Sequence, residues 1–158
     1  EARFILYHIP QLTQIPLSLA LLRALADALG ARICAVKDSS GDWQHTRALL
    51  DWGALPVLVG DERQLHRALA LGAAGSISGM ANLHPERLLR LFETDEEDRA
   101  LSAQVERIVS MPVVPALKFL LARECADPEW ERVRPPLSPL DDAARQRLLA
   151  TSREGKIG

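Results

Sequence analysis

The stretch Ile33-Cys34-Ala35-Val36-Lys37-Asp38-Ser39-Ser40-Gly41-Asp42, continuing through Trp43 to Gly53, carries the pattern that sets the fold. Four apolar residues end at a lysine, a polar turn comes next, and apolar residues then recur at three- and four-residue spacing until Gly53 stops them. A short strand apolar on both faces, leading straight into an amphipathic helix, is the unit of a parallel sheet covered by helices. The unit recurs on either side. Phe4 to Tyr7 precedes a helix over Leu17 to Leu29, with Ser18 as its cap and Gly30 as its stop. Val57 to Val59 precedes Glu62 to Leu71, which ends at Gly72, and Ser76 to Ser78 precedes Pro85 to Phe92, with Pro85 suited to a first helical turn.

Four consecutive strand–helix units make half of an eightfold barrel, so the sequence predicts an α/β fold: the second half of a TIM (β/α)8 barrel over residues 1–92. After Phe92 the pattern is helical only, over Glu96 to Ser110, Val113 to Glu124 and Asp141 to Ala150. Pro112, Pro115 and Pro135-Pro136-Leu137-Ser138-Pro139 interrupt these helices, which predicts a C-terminal helical region over 93–158. The charged run Glu93 to Asp98 reads as a solvated loop between the two. An open, doubly wound sheet is the alternative, and it calls for a Gly-rich phosphate loop after the first strand. The residues after Tyr7 are His8-Ile9-Pro10-Gln11-Leu12-Thr13, without glycine. The chain opens Glu1-Ala2-Arg3-Phe4 and enters an apolar strand at once, as expected of a piece of a larger barrel.

Composition narrows the function. With 158 residues, 47% hydrophobic and 25% charged, the chain is expected to form a globular, cytoplasmic protein. Its longest apolar runs, Ile15 to Leu22 and Leu117 to Ala122, are too short to cross a bilayer. A formal net charge of -2, with acidic and basic residues interleaved, gives no basic stripe for nucleic acid. Cys34 and Cys125 have neither disulfide nor metal spacing and read as reduced. His8, His45, His66 and His84 fall on separate segments, so no metal is expected; His8, beside Tyr7, is the one placed to face a ligand. Trp43 and Trp52 on one helix read as packing residues, and no cofactor motif is present.

Lysine is rare here: of nineteen basic residues only Lys37, Lys118 and Lys156 are lysine. Lys37 closes a strand, where barrel enzymes place their chemistry. An amine there suits imine formation with a ketone, whose protonated form then acts as an electron sink for making or breaking the adjacent carbon–carbon bond. Such a reaction needs a proton relay to the substrate oxygen. Tyr7, the one tyrosine in the chain, ends the preceding strand.

Leu6-Tyr7-His8-Ile9-Pro10, Val36-Lys37-Asp38-Ser39-Ser40-Gly41-Asp42, Val59-Gly60-Asp61-Glu62 and Gly75-Ser76-Ile77-Ser78 with Asn82 resemble, in order and spacing, the second half of the dihydrodipicolinate synthase and N-acetylneuraminate lyase superfamily. The resemblance implies a class I, pyruvate-handling aldolase on a TIM barrel, needing no cofactor and forming a homo-oligomer, a dimer or a tetramer. By it Lys37 matches the Schiff-base lysine and Tyr7 the relay tyrosine, while Gly60 and Ile77 match pocket-lining positions. Gly60 also reads as a turn glycine and Ile77 as a layer filler; Ser39 and Ser40 read as loop-tying residues.

In the synthase branch an arginine five residues beyond the tyrosine grips the aldehyde's carboxylate; here that position is Leu12. Leu12 resembles the lyase branch, and Arg134 to Asp142 is similar to the tail of 2-keto-3-deoxy sugar acid aldolases. The favoured expectation is therefore an aldolase joining or separating pyruvate and an aldehyde. Dihydrodipicolinate synthesis and a non-catalytic sugar-acid-binding barrel are the alternatives. The resemblance also implies that a carboxylate-binding Thr/Ser pair and a second tyrosine, which belong to the first half of such a barrel, lie outside this chain.

Overall fold

The computed structural model describes residues 2–150; Glu1 and 151–158, the end of the expected helical region, lie outside the described residues. Strands β1 (Phe4–His8), β2 (Ile33–Asp38), β3 (Val57–Val59) and β4 (Gly75–Ser76) form one parallel sheet in the order β1-β2-β3-β4. Helices α1 (Pro10–Thr13) and α2 (Leu19–Leu29) connect the first pair, α3 (Trp43–Trp52) the second and α4 (Glu62–Leu69) the third. α5 (Pro85–Thr94) comes after the last strand. Right-handed crossovers between strands in sequential order put every helix on one face of the sheet, as in a barrel, whereas a doubly wound sheet reverses its order. The strand order therefore excludes the open alternative.

The termini of the elements reflect local chemistry. The Ser18 side chain accepts from the Leu21 N–H and caps α2, and Asp42 accepts from the Gln44 N–H at the start of α3. Gly53 closes α3 in the left-handed region at φ 65°. β4 is shorter and earlier than its apolar pattern predicts. Ile77 and Ser78 leave the sheet, and a 3₁₀ turn over Gly79–Asn82 succeeds them. α5 runs two residues past Phe92, and Asp98 is anchored rather than solvated: Arg87 Nε donates to its carboxylate at 2.7 Å, both side chains being about four-fifths buried.

The chain divides into two compact units, residues 2–78 with 86–98, and residues 79–85 with 99–150. In the first, the core lies between sheet and helices: Leu22, Val36, Leu49 and Val57 are buried, with Leu6, Leu17, Leu19, Leu50, Trp52 and Leu55 packed against them. Truncating such a fully buried leucine costs about 2–5 kcal/mol. In the second unit, α6 (Arg99–Val109), α7 (Val113–Glu124) and α8 (Asp142–Leu149) bury Leu101, Val105, Ile108, Ala116, Phe119, Ala122, Ala144 and Leu148. Gly79 packs against Leu117: a Cβ there would fall 2.6 Å from Leu117 Cδ1, so a side chain at this position requires that leucine tip to move. No helix among the described residues is long and apolar enough to cross a membrane.

Alternation along the strands gives the sheet two different faces. Tyr7, Lys37, Leu58 and Gly75 are register partners across all four strands. His8, Asp38, Val59 and Ser76 form the next row, on the opposite face. His8, Asp38 and Val59 are buried, whereas Tyr7 keeps 45% of its surface and Lys37 is half-buried.

Candidate active site

Lys37 and Tyr7 meet because parallel register pairs them directly, so both side chains rise from the same face. Lys37 Nζ lies over the phenol ring, 4.0 Å from its centroid. That contact is a cation–π geometry. It holds the amine beside the single phenol without requiring a hydrogen bond to the hydroxyl.

The backbone around Lys37 is tied on every side. Ser39 N–H donates to the His8 carbonyl at 2.9 Å, and Gly60 N–H donates to the Asp38 carbonyl at 2.7 Å. The Gln11 side-chain amide donates to the Ser39 carbonyl at 2.6 Å, linking the loop after β1 to the loop after β2. Ser40 N–H donates to Asp38 Oδ1 at 3.0 Å, and the Ser40 hydroxyl accepts from Asp42 N–H at 3.1 Å. These bonds put Ser40 to loop-tying work. Gly60 packs so closely on Ser39 that no side chain fits between them.

Of the other pocket candidates, Ile77 comes just after β4 and is 46% exposed, and Leu12 lies on α1 with 76% of its surface free. Behind Ile77, the Ser78 hydroxyl donates to the carboxylate of buried Glu62. A cavity lined by Arg23, Asp27, Ile33, Trp52 and Leu55 opens at the start of β2, the end remote from Lys37, and holds none of these residues.

His8 does not stand beside Tyr7 on the open face. It is 4% exposed, on the helix-covered side, with its ring tilted against that of His45 at a centroid distance of 4.1 Å. His45 Nδ1 is 3.0 Å from Asp38 Oδ2 and its Nε2 is 2.9 Å from the Leu17 carbonyl. Burial works against a charged Asp38, yet hydrogen bonds from His45, from Ser40 and from Thr46 outweigh it and hold the carboxyl below its usual range. Burial and then the charge of His45 lower the His8 imidazole, against the opposing pull of Asp38 and Asp42. His8, Asp38 and His45 bring one ligand atom each within 4.8 Å, a grouping able to hold a cation. Hydrogen bonding accounts for it instead, since both His45 nitrogens face acceptors and His8 Nδ1 accepts from Leu17 N–H at 3.2 Å. Sequence spacing gives no sign of this cluster; the one available signal is that His8 and Asp38 each directly succeed a site residue.

A sheet of this order, with an amine and a phenol paired on its open face at the carboxyl ends of β1 and β2, is a partial (β/α)8 barrel. The chain belongs to the dihydrodipicolinate synthetase family, whose model matches residues 1–154. It is 33% identical over 165 residues to an uncharacterized DapA-like lyase of Chloroflexus aurantiacus, covering 95% of this chain and 55% of that one. Among solved structures, dihydrodipicolinate synthase from Agrobacterium tumefaciens matches with a TM-score of 0.87 and 37% identity, covering 96% of this chain and 54% of the other. YagE from Escherichia coli K12, a family member solved in complex with pyruvate, matches with a TM-score of 0.75 and 28% identity, covering 96% and 55%. The chain thus spans about half the length of the relatives it matches.

Proposed function

We propose that this chain supplies the Schiff-base half of a class I aldolase acting on pyruvate and an aldehyde, with a 2-keto-3-deoxy sugar acid or related 2-oxo acid as the cleaved or formed compound. The observation that carries the reading is the Lys37–Tyr7 pair: an amine 4.0 Å from the ring centroid of the chain's single tyrosine, fixed by strand register. In this reading Lys37 attacks the keto carbon and water leaves, giving an imine. Once protonated, the imine accepts the electron pair of the breaking carbon–carbon bond as an enamine. The aldehyde departs as Tyr7 takes the proton from the substrate hydroxyl. Gly60 and Ile77 border the imine, and Leu12 favours aldehydes without a carboxylate at that position.

Pyruvate as the keto partner is supported by its presence in the YagE structure. Dihydrodipicolinate synthesis is favoured by the match to the Agrobacterium tumefaciens enzyme and opposed by Leu12. The same reading takes the working protein to be a cytoplasmic homo-oligomer. Borohydride reduction of the complete protein, with both halves of the barrel present, in the presence of pyruvate tests it: a reduced pyruvyl adduct on Lys37, found by peptide mass spectrometry, is the expected result. Its absence leaves the non-catalytic sugar-acid-binding barrel as the surviving account.

A further inference from the structure

The buried cluster behind the sheet closes a ring of contacts between the two site residues. Tyr7 adjoins His8, whose Nδ1 accepts from the Leu17 N–H at 3.2 Å. The Leu17 carbonyl faces His45 Nε2 at 2.9 Å, and His45 Nδ1 faces Asp38 Oδ2 at 3.0 Å. Asp38 is joined by the chain to Lys37. The ring thus ties the ends of β1 and β2 to α3 and to the segment that enters α2.

Donor and acceptor accounting fixes the proton positions. A carbonyl oxygen only accepts, so His45 Nε2 must carry hydrogen. Asp38 receives the Ser40 N–H at 3.0 Å and the Thr46 hydroxyl at 2.9 Å. It is a carboxylate held ionised by donors, so His45 Nδ1 must carry hydrogen as well. A neutral imidazole has one N–H, and here acceptors face both His45 ring nitrogens. The arrangement in which Asp38 is protonated and donates to a bare Nδ1 is disfavoured by the low-lying Asp38 carboxyl. His8, whose Nδ1 accepts from Leu17 N–H, is the neutral Nε2–H tautomer, and its ring rests against that of His45. Removing one partner of a buried charged pair leaves the other uncompensated. The clamp therefore holds as a unit.

Resting on the aldolase reading, we propose that His45, spanning the Asp38 carboxylate and the Leu17 carbonyl, is a positioning residue that sets Lys37 against Tyr7, with His8 as its stacked partner. None of the three touches substrate. They act through the backbone of the residues they adjoin, and a misplacement of about 1 Å at a reacting atom costs on the order of a hundredfold in rate.

Nitrogen NMR of the full chain labelled in histidine gives the first readout. Both His45 ring nitrogens are expected to donate, one to Asp38 and one to the Leu17 carbonyl, with His8 showing one protonated and one bare nitrogen. A bare nitrogen on His45 overturns the proposal. The second readout is the ring-current shift that Tyr7 imposes on the ε-methylene of Lys37, easily assigned among three lysines. His45→Phe keeps a ring beside His8 but removes both donors, and the Lys37 shift is expected to relax toward that of a free lysine. Trp52→Phe, which loosens the Leu22 cluster of the same unit, is expected to leave it in place. A shift unchanged in His45→Phe, or lost equally in Trp52→Phe, overturns the positioning role. Borohydride trapping of pyruvate is expected to slow roughly tenfold to a hundredfold in His45→Phe and not in Trp52→Phe. Failure of the complete protein, with both halves of the barrel present, to trap pyruvate sinks the aldolase reading alone, because both NMR readouts still decide on the clamp.

Discussion

Gly60 and Ser39 approach so closely that a Cβ on Gly60 would lie 1.9 Å from Ser39 Oγ and 2.9 Å from Ser39 Cβ. Two loops at the mouth of the sheet, after β2 and after β3, are thereby packed backbone to side chain next to Lys37. Gly60→Ala must push Ser39, and with it the end of β2, away. The expected cost is about 1–3 kcal/mol, read as a lower urea midpoint at unchanged slope. Ser39→Gly in the same chain removes both clashing atoms and is expected to recover most of the loss; a double-mutant cycle showing simple additivity would count against the contact.

The two members of the Lys37–Tyr7 pair are separable by chemistry. Lys37→Ala is expected to abolish borohydride-trapped pyruvate. Tyr7→Phe preserves the ring face on which Nζ rests and deletes only the hydroxyl. Imine trapping is then expected to persist, while carbon–carbon cleavage falls by about 10²–10⁴-fold, the range for losing a general acid–base group. Equal loss of both steps would assign the hydroxyl to substrate binding instead.

Much of this architecture is legible in the chain because it is written in local terms. Ser18 and Asp42 as caps, Gly30 and Gly53 as stops, and the apolar runs at Ile33 and Val57 each depend on neighbours within one turn or one strand. Strand β4 is misplaced by the same reading, since apolar Ile77 belongs by composition to a strand yet sits past its end. The site is legible only in part. Lys37 and Tyr7 stand out by rarity and position, but their pairing is a matter of register across a crossover. The His8–His45 stack is invisible in sequence for the same reason: the helix that brings His45 under the sheet is placed by burial of Leu49 and its neighbours, not by anything adjacent to either histidine. The Arg87–Asp98 pair likewise hides within what composition presents as a solvated charged run.

Acid stability is governed by the same cluster. His8 titrates below its ordinary value of 6.5, so below that pH the unfolded chain binds a proton that the folded chain refuses. Stability falls as pH drops from 6.5 toward the folded value, then levels. Asp38 is depressed below its ordinary 3.8, so its contribution is fully present above 3.8 and is lost as pH falls through the folded value. Groups facing the pair are His45, Asp42, Ser40 and Thr46. Denaturant unfolding across pH is expected to show two acid limbs. His8→Asn removes the upper one, and Asp38→Ala removes the lower one while costing about 3–5 kcal/mol near neutrality. An upper limb intact in His8→Asn would assign it to another group.

Leu12 is the position at which the proposed substrate class is tested. It lies on α1, directly after the strand that carries Tyr7, and its side chain is 76% exposed, so a longer residue there meets no packing penalty. Leu12→Arg is expected to leave the unfolding free energy within about 0.5 kcal/mol of the parent, as surface changes do. It adds a planar donor pair suited to a carboxylate. Hydrogen bonds to a charged group are worth about 1.5–3 kcal/mol, so kcat/KM for an aldehyde bearing a carboxylate should rise by roughly tenfold to a hundredfold relative to a neutral sugar aldehyde. The parent chain is expected to prefer the neutral aldehyde. If it already prefers the carboxylated one, Leu12 does not set the substrate class, and dihydrodipicolinate synthesis becomes the better account of the same Lys37–Tyr7 pair.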